Sequence, residues 1–292
     1  MATRVVLGDG AELAVVTAGD PAAEVTVVLA HSYAQDHRVW HRITDTLPHA
    51  TERPVHVIAY DHRGHGQSSP ATSATATVEQ LGDDLAELIA DQATGQVVLV
   101  GHGMGGLAVM ALTARHVDLF TRRVAGIAFL ATSVGTLSAA VPHSVGRVVQ
   151  DLRGILGSHI DRVSRKAMAV GLRWLLLGDD PDPDDMRLVA DMISAHWPDT
   201  VALFRPGLDR YARDAALALA VAADVPVIAV VGDRDRLVPT AHADALAGAV
   251  VDGSAVVLPG LGHMLPLEGA AEVLPRIVGL VHAALRKAGE RW

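Results

Sequence analysis

Residues 96–106 read QVVLVGHGMGG. A run of Val and Leu gives way to glycines at 101, 103, 105 and 106, and the apolar stretch that follows, Leu107 to His116, has the composition of a helix. The run is continuous rather than alternating in polarity. It therefore reads as a strand buried on both faces, as in a parallel sheet covered by helices. A strand that enters a helix through a glycine-rich turn places that turn at the carboxyl edge of the sheet, where ligands bind in open α/β folds.

Outward from this point the same rhythm recurs. VTVVLA (25–30), VHVIAY (55–60), VAGIAFLA (124–131), VPVIAVV (225–231) and SAVVLP (254–259) read as further strands with both faces buried. Thr77–Ala93, Met104–His116, Thr240–Ala249 and Glu272–Ala288 have helical periodicity, and Thr77 with Gln80 reads as a capping box. RVVLG and LAVVTA flank a Gly-Asp-Gly turn and suggest an antiparallel hairpin at the start. Alternating strands and helices predict a doubly wound, mostly parallel sheet flanked by helices. Between Val134 and Ala216 no strand is legible. SVGRVVQDLRGIL, SRKAMAVGLRWLLLG and PDDMRLVADMISAHW read as helices, the last two separated by the Pro/Asp loop GDDPDPDD. The expected organisation is a sheet domain over 1–133 and 217–292, with a helical lid inserted at 134–216.

Composition narrows the function. The chain has 292 residues, half of them apolar, enough for one large domain with a sizeable core. Only ten residues are Phe, Tyr or Trp, so Ala, Val and Leu must build that core. A net charge of −9 without a basic cluster argues against nucleic-acid binding. With no cysteine, thiolate nucleophiles, disulfides and Cys-based metal sites are excluded. The beginning of the chain lacks a basic-then-apolar signal layout. The most apolar stretch, Ala215–Val231, is broken by Asp224 and Pro226 and is no membrane span. A cytoplasmic location, no membrane association and a monomer or homodimer are the expectations. Histidine is the unusual component, with fifteen residues. His143, His159 and His196 in the lid lack zinc-ligand spacing, so no metal and no cofactor are expected.

Three loops carry the chemistry: GHGMGG (101–106), GDRDRLVP (232–239) and GLGHMLPLE (260–268), each after a strand. With VVLAHSYAQDHRVW (27–40) and YDHRGHGQS (60–68), they make the chain resemble the α/β-hydrolase superfamily over nearly its whole length. VVLAHSYAQDHRVW is similar to that family's oxyanion loop, YDHRGHGQS to its D-x-R-G-x-G-x-S signature, and GHGMGG to its G-x-S-x-G nucleophile elbow. By this resemblance Asp235 is the catalytic acid, preferred over Asp233, and His263 is the catalytic histidine. The resemblance also implies an oxyanion hole made of the N–H groups of Tyr33 and Met104. Asp61 and Arg63 are expected to hold their loop by ion pairing. His31, Ser32, His102 and Trp174 are expected around the substrate pocket, with His31 a hydrogen-bonding member of the oxyanion loop and His102 packed behind the elbow. For Trp174–Leu177, core packing competes with a pocket wall.

The sequence departs from the family at two places. Gly103 occupies the nucleophile position and has no side chain with which to attack. Glycine still adopts the positive φ of such an elbow without steric cost, so the turn is expected to survive. Ser32 replaces the glycine common after the oxyanion-loop histidine. It is not expected to stand in for the nucleophile, since its backbone would present it from another direction. GHGMGG also matches G-x-G-x-x-G, but the acidic residue a dinucleotide site needs about 20 residues on is absent from FLATSVGT (129–136).

Three functional readings follow. The first is an enzyme on a small or medium apolar carbonyl or ester compound, with His263 and Asp235 as general base pair and no covalent serine at 103. It would carry out water-mediated hydrolysis, or lyase, cyclase or cofactor-free oxygenase chemistry. The second is an ester hydrolase whose elbow serine was replaced deliberately by glycine. The third is a ligand-binding protein that lost turnover. Two family positions differ, not one, which favours drift over a single introduced change.

Overall fold

A computed structural model describes residues 2–134, 171, 173–196, 199–211 and 224–289. Eight strands form one sheet in the order β1-β2-β4-β3-β5-β6-β7-β8. They are β1 (Thr3–Val6), β2 (Glu12–Gly19), β3 (Val25–Ala30), β4 (His56–Tyr60), β5 (Gln96–His102), β6 (Val124–Leu130), β7 (Val227–Gly232) and β8 (Gly253–Leu258). β1 and β2 form the antiparallel hairpin expected from the Gly-Asp-Gly turn, and β2 joins β4 antiparallel. Every other pairing is parallel.

The helices are α1 (His41–Thr46), α2 (Val78–Gln92), α3 (Met104–Arg115), α4 (Val117–Arg123), α5 (Pro183–His196), α6 (Asp199–Tyr211), α7 (Ala241–Gly248), α8 (Leu265–Glu268) and α9 (Ala270–Gly289). Two apolar clusters lie on the two faces of the sheet. One joins Val28, Ile58 and Leu99 to α2 and α3 through Leu81, Leu85, Val109 and Leu112. The other joins Val27, Val57 and Val98 to Trp40 and to α9 through Ile277 and Val281. Alternate residues of each central strand thus enter opposite cores, so these strands carry no polar face.

Two expectations need correction. β8 is an edge strand, and most of its residues are exposed or half-buried, with Val257 47% exposed. Its apolar run lacks a neighbour on one side, so the rule for buried parallel strands does not apply. The capping box is half made. Thr77 Oγ1 accepts the Gln80 N–H at 3.1 Å, but the Gln80 side chain turns away and donates to Asp84 Oδ1 at 2.8 Å. Asp84 is buried beside Arg63 and draws the amide inward.

Most of the expected lid, including His143 and His159, lies outside the described residues, as does the helical expectation for SVGRVVQDLRGIL. Within that interval α5 and α6 are helical. Leu176, Leu177, Val189 and Met192 join the second core. Among the described residues, no helix is long and apolar enough to cross a membrane.

Candidate active site

β3 and β5 are adjacent parallel strands, with Ala30 in register with Gly101. The loops that follow them leave the sheet side by side. The loop after β5 turns at Gly103, whose φ of +51° and ψ of −113° are costly for any residue with a side chain. The turn is pinned by the Gly103 N–H donating to Leu130 O at 2.9 Å, at the end of β6. Gly105 lets the two loops touch: a Cβ there would overlap Ala30 O and lie 2.8 Å from His31 O. Helix α3 begins immediately at Met104, so the Met104 N–H points from a helix N-terminus with no intrahelical acceptor.

The loops after β7 and β8 bring the acid and the histidine to this turn. His263 Nδ1 lies 2.9 Å from Asp235 Oδ2. Asp235 Oδ1 accepts the N–H groups of Leu237 at 2.8 Å and Val238 at 2.9 Å, which orients the carboxylate. With Nδ1–H donated to Asp235, the lone pair of His263 sits on Nε2 and faces the elbow. A Cβ built on Gly103 would lie 3.5 Å from that nitrogen. Asp233 does something different: its Oδ1 accepts the Gly260 N–H at 2.7 Å and ties the two loops together.

A residue whose role sequence reasoning missed holds the histidine loop. Glu268 Oε1 accepts the N–H groups of Gly262 and Met264, both at 3.0 Å, on either side of His263. Its Oε2 accepts the Gly178 N–H at 2.8 Å. The His263 N–H itself donates to Leu176 O at 2.7 Å. Burial pushes the Glu268 carboxyl up, and the three N–H groups act against that shift. An acid five residues after the histidine, at the end of GLGHMLPLE, was the available signal.

His31 and His102 lie behind this centre and not on a substrate wall. Both are wholly buried. His31 Nδ1–H donates to Ser32 O at 2.7 Å, and its Nε2 accepts the His62 N–H at 2.9 Å. His102 Nε2–H donates to His263 O at 2.9 Å, with the two rings 4.9 Å apart. Burial holds both rings neutral, well below the usual histidine range, and it brings His62 down to about 3. Trp174 is 56% exposed, with the Arg236 guanidinium 5.0 Å over its ring. That cation holds the indole at the surface, while Leu176 and Leu177 turn inward.

Asp61 and Arg63 are paired within the fold. Arg63 bonds Asp84 at 2.7 Å and Asp9 at 2.8 Å. Asp61 Oδ1 lies 2.7 Å from His37 Nδ1, and the carboxylate raises the His37 pKa. Asp36, His37 and Asp61 bring donor atoms close enough for a cation. Those atoms are already committed, Asp61 to His37 and Asp36 to Arg38.

Ser32 is where the structure differs most from expectation. It is not directed elsewhere by its backbone. The Cβ that Gly103 lacks would overlap Ser32 Oγ and lie 2.9 Å from Ser32 Cβ. The parallel register of β3 and β5 is the cause, since it delivers the two loops to the same point.

The alpha/beta hydrolase family model matches residues 27–276. A monoacylglycerol lipase from Mycolicibacterium smegmatis is 29% identical over 245 residues, 81% of this chain and 80% of that protein. Epoxide hydrolase A from Mycobacterium tuberculosis is 35% identical over 128 residues, but these are 44% of this chain and only 37% of that protein. Among solved structures, a thermophilic esterase from Thermogutta terrifontis superposes with a TM-score of 0.77 at 25% identity, covering 97% of this chain and 99% of that one.

Proposed function

The chain belongs to the alpha/beta hydrolase family, and we propose that it is an esterase-like hydrolase of small or medium apolar carbonyl compounds. His263 is its general base, Asp235 the group that orients it, and the N–H groups of Tyr33 and Met104 its oxyanion donors. One observation carries this reading. His263, with Nδ1 held 2.9 Å from Asp235, turns its free Nε2 toward an elbow that has kept its backbone but carries no side chain.

The chemistry follows from that geometry. An ester carbonyl oxygen sits between the two N–H donors, which stabilise the charge that develops there. Each such donor is worth roughly 10²–10³ in rate. Position 103 offers no hydroxyl, so the attacking oxygen comes from elsewhere, in the simplest case from water. His263 Nε2 takes its proton as the new C–O bond forms, and the imidazolium is stabilised by Asp235. The ester C–O bond then breaks, and His263 passes the proton to the leaving alcohol. An ester and water become an acid and an alcohol, with no proton unaccounted for. Similarity to a monoacylglycerol lipase and an esterase supports an ester as the substrate. The protein is proposed to act on a small molecule as a monomer or homodimer, without a cofactor or metal, in the cytoplasm.

The test is a substrate panel. The purified chain is offered p-nitrophenyl esters of short and medium acyl length, lactones and an epoxide. Turnover of esters is expected. Tight binding of an apolar carbonyl compound, with no turnover of any member, overturns the enzyme reading in favour of a binding protein.

A further inference from the structure

Gly103 lacks the elbow hydroxyl, yet the space beside it holds one. A Cβ at 103 would overlap Ser32 Oγ, so that oxygen already lies in the volume an elbow side chain would fill. The same Cβ position is 3.5 Å from His263 Nε2. The Ser32 hydroxyl and the basic nitrogen therefore flank one point, and that point is the origin of the missing side chain.

Ser32 is also held there. The residue is buried, at 4% exposure, and its carbonyl accepts the His31 Nδ1–H at 2.7 Å. His31 is in turn fixed by the His62 N–H and by its own carbonyl, which accepts from His62 Nε2 at 3.0 Å. The loop thus positions a short polar side chain rigidly at the elbow. A loop that only supplied a backbone oxyanion donor would need no hydroxyl there. A glycine at 32 would serve equally.

We propose that Ser32 is the nucleophile of this enzyme, its hydroxyl presented to His263 from the oxyanion loop in place of the side chain absent at 103. The proposal rests on the ester-hydrolase reading and replaces water in its first step. Ser32 Oγ attacks the ester carbonyl carbon, and its proton passes to His263 Nε2. The ester C–O bond breaks, the alcohol leaves with that proton, and the acyl group stays on Ser32. Water then attacks the acyl carbon and gives a proton to His263. The acid departs, and the proton returns to Ser32 Oγ. Tyr33 follows Ser32 in the chain as Met104 follows Gly103, so each side of the junction offers the N–H next to a nucleophile position.

The experiment uses the full-length chain and a p-nitrophenyl alkylphosphonate, which labels activated serines. Labelled protein is digested, and the modified residue is located by mass spectrometry. Ester turnover is measured on the parent, Ser32→Ala, Ser32→Gly and His263→Ala, with Ser32→Gly guarding against a variant that misfolds. The label is expected on Ser32 in the parent and on neither Ser32 variant. Both Ser32 variants should lose at least about 10³-fold in kcat. Turnover that needs His263 but survives in the Ser32 variants overturns Ser32 as nucleophile and leaves hydrolysis by water standing. Loss of rate in those variants without any label on Ser32 in the parent also overturns it, by reducing Ser32 to a group that positions water. No ester turnover in the parent overturns the ester-hydrolase reading itself, and the nucleophile with it.

Discussion

Asp235 Oδ2 stands 2.9 Å from His263 Nδ1, and the other oxygen of the same carboxylate is held by the backbone N–H groups of Leu237 and Val238. The carboxylate is therefore fixed before the histidine meets it. Replacing Asp235 with Asn keeps the shape but allows the amide to face His263 with its NH₂. The ring then donates from Nε2 and loses the lone pair aimed at the elbow. Asp235→Asn is expected to lower kcat by about 10²–10⁴-fold with little change in KM. Steady-state kinetics on the preferred ester check this, and an unchanged kcat contradicts it.

Glu268 acts at one remove from the chemistry. Its two oxygens accept three backbone N–H groups, two of them on the residues flanking His263. Glu268→Ala strands those donors in a buried loop, at a cost of about 1–3 kcal/mol for an unsatisfied group. The urea midpoint should fall, and kcat should fall further than KM rises as His263 loses its anchorage. Glu268→Gln keeps one acceptor oxygen and should recover part of both losses. Equal behaviour of the two variants would show that the acceptor geometry is irrelevant.

Crowding at the elbow predicts an energetic coupling that does not depend on activity. Gly103→Ala places a Cβ on top of Ser32 Oγ and puts a side chain at φ +51°. Strain at such a backbone costs on the order of 1–3 kcal/mol, and the overlap adds to it. Ser32→Gly removes the overlap but not the strain. The double variant should therefore be more stable than the sum of the single changes, by about 0.5–3 kcal/mol. Denaturant unfolding of the four proteins measures this difference, and strict additivity contradicts the placement of Ser32.

The buried histidines predict an acid-labile fold. His31, His62 and His102 have folded pKa values depressed by burial, that of His62 to about 3. In the unfolded chain each takes up a proton near pH ~6.5. Below that pH the unfolded state binds more protons than the folded one, so stability falls as pH drops. The slope reaches about 1.4 kcal/mol per pH unit for each histidine between ~6.5 and its own folded value. His37 has the opposite sign. Its pKa is raised by Asp61, so its contribution is complete below the unfolded value and is lost as pH rises through the folded one. Burial lowers His56 and His242 as well, so the depressed histidines outweigh the one raised, and urea midpoints should drop between about pH 7 and pH 5. A flat or rising profile contradicts this account.

Much of this site is legible in the sequence. The strand runs at 25–30, 96–100 and 225–231, each followed by a loop with chemical side chains, predicted the sheet and its working edge. Periodicity could not place β8 at the edge, because an apolar run does not reveal whether a neighbour covers its outer face. Gln80 has the spacing of half a capping box, but Asp84, one turn on in the same helix and buried beside Arg63, takes its amide. Trp174 sits in an apolar run, yet Arg236, sixty-two residues on, draws its ring to the surface. Ser32 and Gly103 are seventy-one residues apart in sequence. Their overlap depends on the register of β3 and β5, which neither stretch encodes alone.

The most direct measurement compares kcat/KM of the parent chain and His263→Gln on the preferred p-nitrophenyl ester, purified side by side so that host esterase activity is common to both. The account predicts a measurable parent rate and a loss of about 10²–10⁴-fold in the variant. Equal rates in the two proteins would contradict it, because the histidine beside Asp235 would then take no part in the reaction.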